Sequence, residues 1–278
     1  MYFLFVLGGI LVPIIPRSFC YKIAKFLALI RYCFAKKDKE IITYNLYPVI
    51  EDKTKIKEYT REVLINFSYY LVDFFRYPKI DRKFIKKYVR VSGLEYISQI
   101  SSQGEGLIAL SGHLGNYELA GVVTSLLGNP VVAVALPHKD KRINKFFDDR
   151  RNMFGMEVIS TGGAIKGCFS ALKQGKALAL LADRDFSGGG LKVRMFSRNA
   201  LVPRGPAFFA LKTGVKIVPC FLIRENKKFY HMIFEKPIAY GDEVIDEESV
   251  VKKYIPVLEK YIKKYPTQWY IFEKYWLP

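Results

Sequence analysis

Two side chains five positions apart, His113 and Glu118, lie in the stretch Gly106 to Gly121, which reads Gly-Leu-Ile-Ala-Leu-Ser-Gly-His-Leu-Gly-Asn-Tyr-Glu-Leu-Ala-Gly. A carboxylate on one imidazole nitrogen fixes the tautomer and leaves the other nitrogen as a base, an arrangement able to deprotonate a hydroxyl. On a regular helix this spacing would separate the two residues by roughly 140° around the axis. They can meet if His113 sits in a turn and Glu118 opens the next helix, and Gly112 and Gly115 allow the chain that reversal. Ser111 and Asn116 add polar groups beside them.

Other residues are weighed against this pair. Arg150 and Arg151 suit either an anionic oxygen in the site or a solvated helix face. Asp183-Arg184-Asp185 suits either an ion-pair network at strand ends or a salt-bridged turn. Backbone N–H groups near Gly115 and Asn116 are candidates to hold an oxyanion developing in a site there. Ser187-Gly188-Gly189-Gly190 has no Lys-Ser or Lys-Thr after it and reads as a surface loop rather than a phosphate cradle. His138 and His231 read as surface or strand residues without a polar constellation. Cys20, Cys33, Cys168 and Cys220 have no C-x-x-C spacing and sit in or beside apolar stretches, so no metal site and no redox site is expected. The chain contains no P-loop, no G-x-S-x-G and no H-E-x-x-H, so the usual warrants for nucleotide hydrolysis, serine esterase chemistry and zinc peptidase chemistry are missing.

The elements that must position these residues follow from hydrophobic pattern. After Gly93, apolar strand-like runs at Leu107 to Leu110, Val131 to Leu136, Glu157 to Ser160, Ala177 to Ala182, Lys216 to Phe221 and His231 to Phe234 alternate with amphipathic segments, among them Lys141 to Phe154, Ala164 to Lys173 and Pro206 to Thr213. The alternation predicts an α/β sandwich with a mostly parallel central sheet. Sites in such folds gather at the carboxyl ends of strands, where His113 and Asp183 both fall. A helix is expected over Lys53 to Tyr77, ended by Pro78.

The first 16 residues carry no charge, and from Phe19 to Phe34 an apolar stretch is punctuated by Lys22, Lys25 and Arg31. This predicts an N-terminal membrane-associating helical segment over residues 1–40, whose first helix either spans or enters one leaflet, ahead of a catalytic domain over 41–278. Positive residues after the anchor place the remainder in the cytoplasm. The formal charge of the 278 residues is +18; residues 1–90 hold 18 Lys and Arg against 8 Asp and Glu, so +10 of it lies beside the apolar segment. Anionic partners are implied, and with no DNA or RNA module signature, acidic lipid or an acidic protein is expected rather than nucleic acid.

The wording Gly-His-Leu-Gly-Asn-Tyr-Glu resembles the His-x4-Glu motif of the lysophospholipid acyltransferase superfamily, and within it the lipid A biosynthesis acyltransferases of lauroyl/myristoyl type. Asn45-Leu46 with Pro48, Leu180 to Phe186, the Thr213-Gly214 to Val218-Pro219 block and Pro266-Thr267-Gln268-Trp269 are similar to further family blocks in the same order. The family's basic Trp-x-His-Arg-Arg-like segment is replaced by Tyr270-Ile271-Phe272-Glu273-Lys274-Tyr275. The resemblance implies a glycerolipid-acyltransferase-like fold at the cytoplasmic face of a bacterial inner membrane. It implies transfer of a fatty acyl chain from acyl carrier protein or coenzyme A to a hydroxyl of a lipid A precursor or related glycolipid. His113 would be the general base and Glu118 its orienting partner, with no metal and no other cofactor. A phosphoinositol mannoside or glycerophospholipid acceptor, or a catalytically silent membrane-binding homologue, are the alternatives.

Overall fold

The computed structural model describes residues 2–161, 164–240 and 246–278. In chain order its helices are α1 (Tyr2–Ile14), α2 (Arg17–Phe34), α3 (Lys36–Leu46), α4 (Ile56–Phe75), α5 (Arg82–Tyr88), α6 (Leu94–Ser102), α7 (Tyr117–Leu126), α8 (Lys141–Asn152), α9 (Ala164–Lys173), α10 (Gly205–Thr213) and α11 (Glu247–Lys264). Its strands are β1 (Val89–Ser92), β2 (Leu107–Ser111), β3 (Val131–Ala135), β4 (Glu157–Ser160), β5 (Ala177–Leu181), β6 (Leu191–Met195), β7 (Arg198–Val202), β8 (Lys216–Arg224) and β9 (Tyr230–Phe234).

Seven strands form one sheet in the order β1-β9-β8-β2-β5-β3-β4, and β6 and β7 make a separate antiparallel pair. Every junction in the large sheet is parallel except β8 with β9. The expected mostly parallel sheet is therefore present. Both of its faces are covered, which is why β2 reads as an unbroken apolar run. Ile108 and Leu110 face a core shared with α9, α10 and α11, while Leu107 and Ala109 face a second core shared with α6 and α7.

Helix α4 joins the N-terminal helices to this body. Its Val63 and Leu64 enter one core and its Phe74 the other, and Ile65, Tyr69 and Val72 take up Tyr21, Ala24 and Ala28 of α2. Helix α1 lays Phe5 against Phe75, Phe146 and Phe147, with centroids 5.6–5.9 Å apart. On its opposite side Phe3, Leu4, Leu7, Ile10, Leu11 and Ile14 are exposed, and α2 exposes Phe19, Ile23, Phe26, Leu27, Ile30 and Phe34. Among the described residues, no helix is long and apolar enough to cross a membrane. Helix α1 ends at Ile14, and α2 begins at Arg17 after Pro16.

Three strands escaped the sequence pattern. β1 follows directly on the basic residues Arg82, Lys83, Lys86 and Lys87, with Arg90 exposed and Val89 and Val91 only partly buried, so its alternation is short and masked by charge. The β6–β7 hairpin turns through Phe196 and Ser197, both at positive φ, without the glycine that signals such a turn. The predicted helix over 53–77 is α4 flanked by two single 3-10 turns.

Candidate active site

Strand β2 ends at Ser111 and α7 starts at Tyr117, so the motif bridges a strand end and a helix start at the carboxyl edge of the sheet. Gly115 has φ +66°, and a Cβ there would lie 2.2 Å from the Leu222 carbonyl oxygen, so only glycine fits this reversal. Asn116 caps α7 through its Oδ1, which accepts from the Leu119 N–H at 3.1 Å. Its Nδ2 donates to Asp73 Oδ2 at 3.0 Å. The loop is clamped by the C-terminal segment as well, because the Tyr270 N–H donates to the His113 carbonyl at 2.8 Å.

The His113 ring meets a carboxylate, and it is Asp183, at the end of β5. Nδ1 lies 2.8 Å from Asp183 Oδ1, while Oδ2 accepts from the His113 backbone N–H at 2.9 Å and from Trp269 Nε1–H at 3.0 Å. Burial alone would raise the Asp183 pKa. The facing imidazole and the converging N–H groups outweigh it and hold the carboxyl below its ordinary 3.8. An ionised Asp183 places the proton on Nδ1 and leaves Nε2 with its lone pair. Asp183 is fully buried, whereas the His113 side chain keeps 14% of its surface exposed. Tyr117 and Phe186 flank the ring edge-on at 5.3 and 5.9 Å.

The expected contact between His113 and Glu118 is corrected by these bonds. Glu118 does stand in the first turn of α7, but its oxygens accept from Arg151, at 3.0 Å from Nε and 2.5 Å from Nη2. A carboxylate in the first turn of α7 points to α8, while Asp183 arrives just beyond the neighbouring parallel strand β5. The oxyanion assignment to backbone N–H groups is corrected too. Gly115 N–H donates to the Gln268 carbonyl at 2.9 Å and Asn116 N–H to the Leu222 carbonyl at 2.8 Å, so both are engaged within the fold.

The arginines divide. Arg151 is the buried partner of Glu118 and also lies 3.3 Å from Asp148. Arg150 packs its guanidinium over Phe146 at 4.0 Å and against Gly9 of α1, where a Cβ would lie 2.6 Å from Nη2. Burial depresses its pKa. Arg150 thus belongs to the seam with α1, not to a solvated face. Arg184 pairs with Glu273 and lies 4.2 Å over the Phe186 ring. Asp185 accepts from the N–H groups of Ser187, Gly188 and Gly190, so the Gly-rich loop is organised around it.

Sequence reading missed two roles. Trp269 was visible only as part of a block, yet its indole fixes the second oxygen of Asp183, and Tyr275 O–H donates to the Asp183 carbonyl at 2.6 Å. Asp73, inside the amphipathic pattern of α4, carries a buried hub. It accepts from Tyr21, Tyr230 at 2.6 Å, Asn116 and Arg224. Burial, with the Asp73 charge beside it, pushes Tyr21 up to about 12. An acidic residue at a helix position otherwise facing the core was the available signal. His231, read as lacking polar neighbours, has Ser92 Oγ at 2.8 Å and Arg90 at 3.0 Å across the β1–β9 pair. Asn45 explains its own block by holding the tail, donating to the Ile271 and Glu273 carbonyls and accepting from the Tyr275 N–H.

A histidine held by a buried aspartate at the strand ends of a doubly covered, mostly parallel sheet, with its other ring nitrogen unengaged, is an arrangement able to act as a general base. Residues 1–278 match the bacterial lipid A biosynthesis acyltransferase family, and the chain belongs to it; it is an acyltransferase. The chain is 23% identical over 222 residues to a phosphatidylinositol mannoside acyltransferase of Mycolicibacterium smegmatis, covering 78% of this chain and 72% of the other. It is 24% identical over 221 residues to the protein of that description from Mycobacterium tuberculosis strain H37Rv, covering 77% and 69%. It is 22% identical over 187 residues to a lipid A biosynthesis palmitoleoyltransferase of Escherichia coli K12, covering 66% and 60%.

Proposed function

We propose that the protein moves a fatty acyl chain from a thioester, on acyl carrier protein or coenzyme A, to a hydroxyl of a membrane glycolipid at the cytoplasmic face of a bacterial inner membrane. The carrying observation is the 2.8 Å contact of His113 Nδ1 with buried Asp183, which leaves Nε2 as the base. His113 Nε2 takes the acceptor hydroxyl proton as that oxygen attacks the thioester carbonyl. The new C–O bond forms, the C–S bond breaks, and the proton passes from the imidazolium to the departing thiolate. Asp183 stabilises the imidazolium without itself being protonated. Glu118 acts at one remove, by holding the Arg151 guanidinium on α8 toward the motif.

The acceptor reading is a lipid A precursor or related glycolipid, in line with the family. The relatives that act on phosphatidylinositol mannoside favour an inositol mannoside as the second acceptor. The exposed apolar faces of α1 and α2 support a seat in one leaflet, where each large side chain removed from water contributes about 1.5–3 kcal/mol. The test is transfer of labelled acyl chains from both donors to a panel of glycolipid and glycerophospholipid acceptors. Loss of transfer in His113→Ala, with an unchanged circular dichroism spectrum, supports the reading. Undiminished transfer sinks it.

A further inference from the structure

Beside the start of α2 lies a cavity of about 330 Å³ that the acyl-transfer chemistry does not use. Its wall carries Arg17 from α2, Arg76 and Lys79 beyond α4, and Lys83 and Lys87 one turn apart on α5. Two acids share the wall, and both are committed elsewhere. Asp73 is held by Arg224 and two tyrosines, and Asp81 caps α5 by accepting from the Phe84 N–H at 2.7 Å. Arg76 is committed too, donating to the Val12 and Ile15 carbonyls at 2.6 Å each.

Arg17 is different. Its Nη2 donates to the Lys228 carbonyl at 2.7 Å, but Nη1 is buried without a hydrogen-bond partner. A buried unpaired donor on a cation is unfavourable, so an acceptor oxygen delivered there stabilises the site. The guanidinium is held in place by the rings of Tyr88 at 4.3 Å and Phe84 at 5.3 Å. Helix α2 also starts at this wall with no side-chain cap. Its first turn adds the positive end of an 18-residue helix to the same corner.

We propose that this cavity binds the phosphate of an anionic membrane lipid, with Arg17 as the fixed donor and Lys79, Lys83 and Lys87 as the rim. This rests on the membrane-lipid reading above and deepens it by naming where a headgroup sits. The lipid source is favoured because the chain flanking Arg17 exposes Ile14 and Phe19, which lets acyl chains lie along α1 and α2 while the phosphate enters the basic corner. A bound headgroup would also bear on the chemistry, since Tyr21 on α2 and Asn116 of the motif share Asp73.

The experiment is flotation of the full chain with phosphatidylcholine vesicles, with and without phosphatidylglycerol. The variant carries Lys79→Ala, Lys83→Ala and Lys87→Ala. A charge-matched control carries Lys166→Ala, Lys173→Ala and Lys212→Ala on the opposite helical layer. The expected result is phosphatidylglycerol-dependent binding that weakens roughly a hundredfold in the first variant and stays near wild type in the control. Equal weakening in both overturns the site in favour of diffuse charge, and binding without dependence on phosphatidylglycerol overturns it as well. Displacement of the vesicles by micromolar coenzyme A would assign the phosphate to the thioester donor and overturn the lipid assignment. Acyl transfer to a detergent-dispersed acceptor is measured in parallel. An inactive wild type strikes the reaction reading and leaves the binding result standing.

Discussion

Two buried aspartates organise this molecule, and they differ in what their partners have left. Around Asp73, Tyr21, Tyr230, Asn116 and Arg224 converge so that the carboxylate and its guanidinium are satisfied within the protein. Around Asp183, Trp269 and the His113 backbone secure one oxygen, but the third partner is an imidazole whose far nitrogen has no hydrogen-bond partner among the described residues. Burial of charge is common to both. Only the second centre presents an unengaged ring nitrogen that can take a proton, so reactivity is read from the partner's remaining valence rather than from the buried charge.

Removing the reactive nitrogen gives the largest effect. His113→Ala should lower acyl transfer by about 10³–10⁴-fold, since no other described side chain occupies the base position, and should lower thermal stability modestly because Asp183 Oδ1 is left buried without its partner. A single-turnover assay checks this. Asp183→Asn comes next, at about 10²–10³-fold, because the amide can donate to Nδ1 and favour the wrong tautomer. The same variant changes the acid limb of stability. Asp183 has a folded-state pKa below its ordinary 3.8, so its contribution is fully present above that value and is lost as pH falls through the lower, folded one. Denaturant midpoints measured from pH 5 downward should show a shallower acid decline in Asp183→Asn than in wild type. A decline of unchanged slope would mean that the carboxyl is not held ionised.

Breaking the other centre should do the reverse. Arg224→Met leaves Asp73 buried without its counter-charge and should cost about 3–5 kcal/mol of stability. Whatever remains folded should lose far less activity than Asp183→Asn does. If Arg224→Met instead abolished transfer at unchanged stability, the contrast between a closed hub and an open one would fail.

The sequence was most legible where pattern is local. The strands flanking the motif, the placement of His113 in a turn and that of Glu118 in the first turn of α7 followed from hydrophobic runs and glycine positions. The pairing of side chains was not. Asp183 reaches His113 because β2 and β5 are adjacent and in register, Leu110 opposite Leu180 and Ser111 opposite Leu181, although they lie about 70 residues apart in sequence. Strand order is a global property that a spacing of five cannot reveal, so the nearer carboxylate was the natural choice. Gly112 carries part of the missing signal, since a Cβ there would lie 3.1 Å from Asp183 Cγ and narrow the approach. Trp269 and Asn45 were legible as blocks, but their reasons lie in a C-terminal tail that folds back over both strand ends.

The smallest effect is expected at Glu118, and it is the sharpest test of the pairing. Glu118→Gln leaves Arg151 with Asp148 at 3.3 Å and does not touch the imidazole, so transfer should fall by about tenfold through a displaced guanidinium. A cycle with Arg151→Lys separates the roles. If Glu118 acts by holding Arg151, the double variant should be little worse than the poorer single one, a coupling of about 1 kcal/mol or more, whereas Glu118→Gln and Asp183→Asn should combine nearly additively. A Glu118→Gln loss as deep as that of Asp183→Asn, with no coupling to Arg151, would return the orienting role to Glu118, with the loop rearranging when substrate binds.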